Sequence, residues 1–364
     1  MMEIKQLSIQ EKIGQMIIIG MDTNYITERI KKMIINYKIG GIILYRKNFH
    51  TYQEMLDLIR QLKELNKGNK IPLLIAIDQE GGRVNRMPKE ILNLPSANLI
   101  ATKGGIEEVE KSAEIIGKIL KQSGYHLNFA PVLDIKRFEN NHAIGDRCYG
   151  EKKEDVAKYG IAFMKKLQEQ GIISVIKHFP GHGATKQDSH HFLPIIKEKM
   201  ENIEKEDMYP FELAIKNGAD AVLVGHLLIK NVTGIYPASL SRKFIVKYLR
   251  KKYRYNGLIL TDDLKMKAIK FIYGADLAVR KAFEAGNDMI VFRFGKEEEK
   301  KVIEKIIHFV QEGKLKESRI NRSVNRIIKI KQKYEISDEA EIEGIDIDKI
   351  NDEIKRIRRK CGIE

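Results

Sequence analysis

The chain has 364 residues, which is long enough for one large domain or two ordinary ones with a sizeable core. Its composition, 43% hydrophobic and 32% charged with 27 Gly and 8 Pro, is typical of a globular protein and excludes a fibrous or low-complexity chain. The two cysteines, Cys148 and Cys361, exclude a disulfide framework and a cysteine-based zinc site, so we expect a reducing compartment.

The chain is basic, with 65 Lys and Arg against 50 Asp and Glu and a net charge of +15. Acidic residues are interleaved with the basic ones, and only Lys355–Lys360 forms a dense basic run, so we interpret the charge as solvated helix faces and expect no nucleic-acid partner. The N-terminal sequence contains neither a signal-peptide core nor a membrane span. We therefore expect a cytoplasmic protein. We also expect a monomer.

Short β-branched apolar runs alternate with longer amphipathic stretches along the chain, which is the pattern of βα units around a parallel sheet. The predicted strands are Met16–Ile19, Gly41–Tyr45, Leu73–Asp78, Leu127–Asp134, Ser174–His178, Ala221–His226, Leu258–Asp262 and Met289–Phe292. The predicted helices include Thr51–Leu65, Glu107–Gln122, Glu154–Gln170, Lys199–Asn217, Ser241–Lys252, Gly274–Ala285 and Arg319–Tyr334.

Eight such units predict an α/β protein with a closed (β/α)₈ TIM-type barrel as its single catalytic domain. The alternative is an open doubly wound sheet, whose nucleotide signatures, GxGxxG and GxxxxGK[ST], do not occur in the expected places. Composition changes after the last helix, first to the acidic Glu335–Asp348 and then to the basic Lys349–Arg359. We assign the barrel to residues 1–334 and a C-terminal tail or helix to residues 335–364.

Polar side chains close several of the predicted strands. In a parallel barrel these strand ends form the active site, although a single charged strand end is often structural. So many polar side chains at one face of the barrel indicate a polar ligand. The third strand ends at Asp78 and leads to Glu80, Arg83 and Arg86, and the other strand-end residues and their loops supply Asp134, Asp146, Arg147, Lys177, His178, His226, Asp262 and Asp263.

The segment KHFPGHGATKQDSHHFLP, residues 177–194, is the densest in histidine. His182, His190 and His191 lack the i,i+4 spacing of a helical zinc site, so we predict no metal. Asp188 and His190, two residues apart in a predicted loop, suit an acid/base pair in which the carboxylate orients the imidazole. The alternative is a loop aspartate bonded to its own backbone beside a surface histidine.

An acid/base needs a partner, and Asp262 at the end of LILTDD is the candidate nucleophile, with Asp263 as its competitor. A carboxylate on one side of a bond and a proton donor on the other is the arrangement of a retaining glycosidase, here with histidine as the donor. Residues suited to binding sugar hydroxyls are Asp78, Arg86, Arg147, Lys177 and His178.

A long ordered set of segments supports this interpretation: EKIGQM, GGIILYRKNF, IAIDQEGGRVNRM, FAPVLDI, IGDRCYG, KHFPGHGATKQDSH, PASLS, GLILTDDLKMKAI and AGNDMI. The chain resembles family 3 glycoside hydrolases, specifically the bacterial β-N-acetylglucosaminidase branch, from about Glu11 to Tyr334. Cys148 stands where that branch usually has Ser, and VGH stands where MSAH is common; both departures concern local packing.

The resemblance implies that Asp262, directly after Thr261, is the nucleophile and that His190 is the acid/base held by Asp188. It implies further that the nonreducing N-acetylglucosamine is bound by Asp78, Arg86, Arg147, Lys177 and His178. His226 takes a supporting role, and no cofactor is implied.

The implied substrates are 1,6-anhydro-muropeptides from cell-wall recycling or, alternatively, chitooligosaccharides. A phosphorylase on the same site is the nearest rival, because a neutral imidazole repels phosphate less than a second carboxylate would. A β-glucosidase or β-xylosidase of the broader family and a non-catalytic barrel that binds sugar or polyanions are the remaining alternatives.

Overall fold

A computed structural model describes residues 4–139, 141–185, 193–293 and 298–363. Its centre is a closed barrel of eight parallel strands, in which each strand pairs with the next and the eighth pairs with the first. The predicted (β/α)₈ TIM-type barrel is thus confirmed. The strands are β1 Ile17–Gly20, β2 Gly41–Leu44, β3 Leu74–Ile77, β4 Leu127–Asn128, β5 Ile173–Phe179, β6 Ala221–Val224, β7 Leu258–Asp263 and β8 Met289–Phe292.

Helices precede the first strand, occupy the stretches between strands and follow the last one. They are α1 Ile9–Gln15, α2 Glu28–Ile35, α3 Tyr52–Asn66, α4 Ala97–Leu99, α5 Gly105–Gln122, α6 Lys153–Glu169, α7 Met200–Lys205, α8 Tyr209–Lys216, α9 Lys230–Thr233, α10 Arg242–Ile245, α11 Lys267–Ala285, α12 Glu298–Gln311, α13 Glu317–Lys333 and α14 Ile347–Lys360. A π-helical stretch, Val246–Lys252, extends α10. The single helix predicted over residues 199–217 is two helices, and Pro210 lies in the first turn of the second, where its missing N–H costs nothing.

The strands are almost wholly apolar because both of their faces are covered. Every residue of β1, β2, β3, β6 and β8 is buried, one face lying inside the barrel and the other beneath the helices. Runs such as Ile17–Ile19 therefore show no polar alternation. Polar residues appear at the strand ends, which is where the site is built.

The fourth strand is shorter than predicted, ending at Asn128 rather than Asp134. Pro131 has no N–H to donate, so regular pairing stops before it. The chain nevertheless continues beside β5, because the Leu133 N–H donates to the Lys177 carbonyl at 2.7 Å and Val132 bridges Lys177. Asp134 thereby still reaches the carboxyl-terminal mouth of the barrel.

The segment after α13 packs back onto the barrel domain. Asp338 accepts hydrogen bonds from the Leu73 N–H at 3.1 Å and from Asn66 Nδ2 at 2.7 Å. The apolar face of α14, which includes Ile350, Ile354 and Ile357, is buried. The proposed boundary at residue 334 stays a prediction. In the described part of the chain, none of the helices combines the length and apolarity that crossing a membrane requires.

Candidate active site

A cavity of about 320 Å³ opens at the carboxyl-terminal ends of the strands. Six of the eight residues predicted for the site lie on its wall, and so do Glu80, His182 and Arg293, to which the sequence assigned no role in the site. The roles of the six stay predictions, but the fold does bring them together. The six residues are Asp78, Arg86, Arg147, Lys177, His178 and Asp262.

Glu80 connects three of the predicted sugar-binding residues. Its carboxylate accepts two hydrogen bonds from Arg147, at 2.8 and 2.7 Å, and pairs with Lys177 Nζ at 2.5 Å. Lys177 also donates to Asp78 Oδ1 at 3.1 Å. Burial alone would raise the pKa of Glu80, but Arg147 and Lys177 outweigh it and hold that pKa well below its ordinary value. A permanently ionised Glu80 therefore fixes both cations in the cavity wall.

The loop after β3 presents Arg86. Its backbone N–H donates to Gln79 Oε1 at 2.7 Å, and the Gln79 backbone exchanges hydrogen bonds with the Asn128 side chain, both at 2.9 Å. Gly82 has φ +53°, and a Cβ there would lie 2.8 Å from Ser96, so a larger residue would not fit this turn. The glycine at position 82 thus allows the tight turn after β3 that precedes Arg86 and brings it to the cavity.

His178 is oriented by a buried carboxylate. The Asp134 side chain is fully buried and accepts from His178 Nδ1 at 2.7 Å, from the His178 N–H at 3.2 Å and from the His182 N–H at 2.6 Å. Burial would raise the pKa of Asp134, but His178 and these N–H donors lower it. Because a carboxylate only accepts, Nδ1 is the donor, and the Nε2 of His178 is left to face a ligand.

The two aspartates at the end of β7 have different surroundings. Asp263 is buried, accepts from the Lys265 and Arg293 N–H groups at 3.0 and 3.1 Å, and pairs with Arg293 Nε at 3.1 Å. Burial raises the pKa of Asp263, an effect that Arg293 opposes. Asp262 is half-buried, accepts from the Asp263 N–H at 2.8 Å and lies on the cavity wall. The geometry therefore favours Asp262 as the carboxylate that meets a substrate.

His226 lies behind these aspartates and is fully buried. Its Nε2 contacts the Asp263 carbonyl at 3.1 Å and its Nδ1 contacts Ser239 Oγ at 2.7 Å. A carbonyl only accepts, so Nε2 carries the proton and Nδ1 accepts from the serine hydroxyl. Burial lowers the pKa of His226, which keeps the ring neutral. The contact with the Asp263 carbonyl links His226 to the end of β7, and the supporting role of His226 stays a prediction.

The predicted acid/base pair, Asp188 and His190, lies outside the described residues, as does His191. The chain leading to that segment is firmly held, because Asn141 Nδ2 donates to the His182 carbonyl at 3.1 Å and to the Thr185 carbonyl at 2.9 Å. Among the residues that the structure describes, no group of three His, Cys, Asp or Glu side chains could hold a metal ion.

Three comparisons place the chain among known proteins. A beta-hexosaminidase of Neisseria gonorrhoeae is 34% identical over 273 residues, which are 73% of this chain and 74% of the relative. A beta-N-acetylglucosaminidase structure from Paenibacillus sp. str. FPU-7 superposes with a TM-score of 0.93 at 34% identity, over 98% of this chain and 69% of the other. A beta-glucoside phosphorylase shares the fold, with a TM-score of 0.85 at 21% identity, over 98% of this chain and 64% of the other.

The family model described as the glycosyl hydrolase family 3 N terminal domain matches residues 8–330, nearly the whole barrel. This match and the relatives agree with the polar cavity at the strand ends and with the family resemblance of the sequence segments. The chain belongs to glycosyl hydrolase family 3 and is a glycoside hydrolase.

Proposed function

We propose that this protein is a retaining exo-β-N-acetylglucosaminidase that removes terminal nonreducing N-acetylglucosamine. The observation that carries the proposal is the position of Asp262, a carboxylate on the cavity wall beside its buried and fully engaged neighbour Asp263. The names of the Neisseria and Paenibacillus relatives support the choice of sugar.

In the proposed mechanism, an Asp262 oxygen attacks the anomeric carbon while His190, oriented by Asp188, gives a proton to the departing glycosidic oxygen. The bond to the leaving alcohol breaks as the bond to Asp262 forms. Water then attacks the same carbon, His190 takes its proton, and Asp262 is released. The roles of Asp188 and His190 rest on the sequence motif alone.

The cavity supports the exo mode and a polar glycone. Its volume of about 320 Å³ lies at the small end of the usual range for ligand sites, which suits one sugar residue rather than a chain. Because Glu80 and Asp134 hold Arg147, Lys177 and His178 in place, these donors are preorganised for hydroxyl groups.

We propose cell-wall 1,6-anhydro-muropeptides as the natural substrate, in keeping with the predicted cytoplasmic location, with chitooligosaccharides as the alternative. A phosphorylase is the second candidate function. The observation that favours it is the number of cations on the cavity wall, since Arg86, Arg147, Lys177 and Arg293 would all attract phosphate.

The test is release of nitrophenol from a nitrophenyl β-N-acetylglucosaminide and from the matching β-glucoside, each with and without phosphate, by the wild type and by Asp262→Ala. We expect hydrolysis of the first substrate only, lost in the variant and unaffected by phosphate. Strong acceleration by phosphate would establish the phosphorylase instead, and absence of turnover on both substrates would contradict the proposal.

A further inference from the structure

His182 is a buried histidine on the wall of the active-site cavity, and the mechanism gives it no task. It is 3% exposed, and neither of its ring nitrogens has a hydrogen-bond partner among the residues that the structure describes. Its ring packs edge-on to that of His178, with 6.1 Å between the ring centroids. Two unpaired polar atoms are therefore buried beside two predicted catalytic and binding groups, Asp262 and His178.

The backbone holds this ring rigidly. The His182 N–H donates to Asp134 at 2.6 Å, and its carbonyl accepts from Asn141 at 3.1 Å. On its two sides, a Cβ at Gly181 would lie 2.6 Å from Asp207 Cβ, and one at Gly183 would lie 2.0 Å from the Ile135 carbonyl oxygen. The backbone on both sides of His182 is thus packed so closely that only glycine fits at positions 181 and 183. The position of the His182 imidazole is therefore fixed.

A buried histidine with neither nitrogen paired is costly in a protein interior. Burial lowers the pKa of His182 to about 4, so the ring is neutral at pH 7, with one nitrogen as a donor and the other as an acceptor. A neutral ring of this kind matches a sugar hydroxyl, which both donates and accepts. The titratable groups that act on its pKa are Asp134, His178 and Asp262.

We propose that His182 is a substrate-contacting residue that recognises one hydroxyl group of the sugar bound against Asp262. The inference rests on the proposed function and names a further determinant of its glycone specificity. Within the described part of the chain, neither ring nitrogen has a hydrogen-bond partner, and in the proposed complex the bound sugar supplies one.

The competing interpretation is that His182 only fills space. An apolar residue of similar size would then serve equally well, and His182→Leu would leave catalysis unchanged. Stability does not separate the two interpretations, because in both of them replacing a buried unpaired imidazole by leucine removes the cost of burying polar atoms. A sugar contact predicts a variant that is at least as stable as the wild type and less active.

The experiment measures kcat/KM of the wild type, His182→Leu and His182→Gln on nitrophenyl β-N-acetylglucosaminide and on analogues that lack the 3-, 4- or 6-hydroxyl group. We expect His182→Leu to lose roughly 5- to 30-fold on the parent substrate, the effect of one hydrogen bond in a dry site. On one analogue, the one without the recognised hydroxyl, wild type and variant should be nearly equal. Glutamine, which keeps a donor and an acceptor, should recover part of the loss. His308→Leu, a surface histidine on α12, is the matched control.

Thermal unfolding completes the test. His182→Leu should melt no lower than the wild type, and free N-acetylglucosamine should raise the melting temperature of the wild type more than that of the variant. Equal loss on all the analogues, or no loss on any substrate, contradicts the contact. If the wild type does not hydrolyse the parent substrate, the proposed function fails, and the melting shifts with N-acetylglucosamine and its deoxy analogues still decide whether His182 contacts the sugar.

Discussion

Two buried lysines at opposite ends of the barrel have contrasting partners. Lys177, 3% exposed at the carboxyl-terminal mouth, lies between two carboxylates, Asp78 and Glu80. Lys331, 2% exposed on α13, lies at the amino-terminal end of the barrel and donates to three neutral oxygens, Gln15 Oε1, the Gly40 carbonyl and the Pro72 carbonyl, at 2.8, 3.0 and 2.6 Å.

The difference separates a functional end from a structural end. At the mouth, Lys177 is paired with two carboxylates beside a cavity whose wall also includes His182, a histidine with no hydrogen-bond partner for its ring among the described residues. At the other end, the three donors of Lys331 meet three acceptors and close the gap between α13 and the first strands. We expect substitutions at the mouth to affect catalysis first and those at the closed end to affect stability alone.

The largest effect should come from Asp262→Asn. Removing the proposed nucleophile should lower kcat on a nitrophenyl substrate by at least about a thousandfold, because the covalent step of the proposed mechanism is lost. The melting temperature should stay close to that of the wild type. The matched variant Asp263→Asn should instead lower stability, since it loosens contacts to Lys265 and Arg293. The reverse pattern would assign the nucleophile to Asp263.

Lys177→Met should be the most damaging change for stability at the mouth. It leaves Asp78 without its ion pair and removes one of the two cations that neutralise Glu80. Breaking a buried ion pair in this way costs roughly 3 kcal/mol of unfolding free energy, and activity should fall as well. Urea unfolding together with kcat/KM checks both effects. A stable and active variant would show that the ion pairs of Lys177 with Asp78 and Glu80 are dispensable.

Lys331→Met should lower stability without affecting catalysis. Three buried neutral acceptors lose their donor, which costs about 1 to 3 kcal/mol of unfolding free energy. At a temperature well below the unfolding transition, kcat/KM should remain within about twofold of the wild type. A large change in kcat/KM would contradict the division into a functional and a structural end.

The last prediction concerns how stability depends on pH. Burial lowers the pKa of Lys331 to about 7, against an ordinary value of 10.5. Between these values the unfolded chain binds more protons than the folded one, so this group makes the unfolding free energy rise with pH from about 7 to 10. The unfolding free energy of the wild type minus that of Lys331→Met, measured by urea unfolding at several pH values, should show that rise. A flat difference would mean that Lys331 keeps its proton when folded.

Much of the barrel could be predicted from the sequence because its strands are local apolar runs with clear boundaries. All eight predicted strands exist, and two of the misjudged lengths have local causes. β4 stops before Pro131, and the helix predicted over residues 199–217 is divided, with Pro210 in the first turn of its second part. Such breaks depend on backbone hydrogen bonds that the hydrophobic pattern does not reveal.

Six of the eight predicted site residues could be grouped at one mouth from the sequence, but the contacts between them could not. Strand ends of a parallel barrel meet at one mouth, and for this reason Asp78, Lys177 and Asp262 could be grouped from sequence. The contact between Glu80 and Arg147 joins residues that are 67 positions apart in the sequence, and no local sequence pattern predicts such a contact. His182 was noticed only as a candidate metal ligand, since the absence of a partner for its ring among the described residues becomes visible only in three dimensions.

The most direct test of the account is to trap the glycosyl-enzyme. A 5-fluoro glycosyl fluoride of N-acetylglucosamine destabilises the oxocarbenium-like transition state yet carries a good leaving group, so the covalent intermediate should accumulate. Peptide mapping by mass spectrometry then locates the sugar. The account predicts one sugar per chain, attached to Asp262; a label on Asp263 or any other residue, or none despite inactivation, would contradict it.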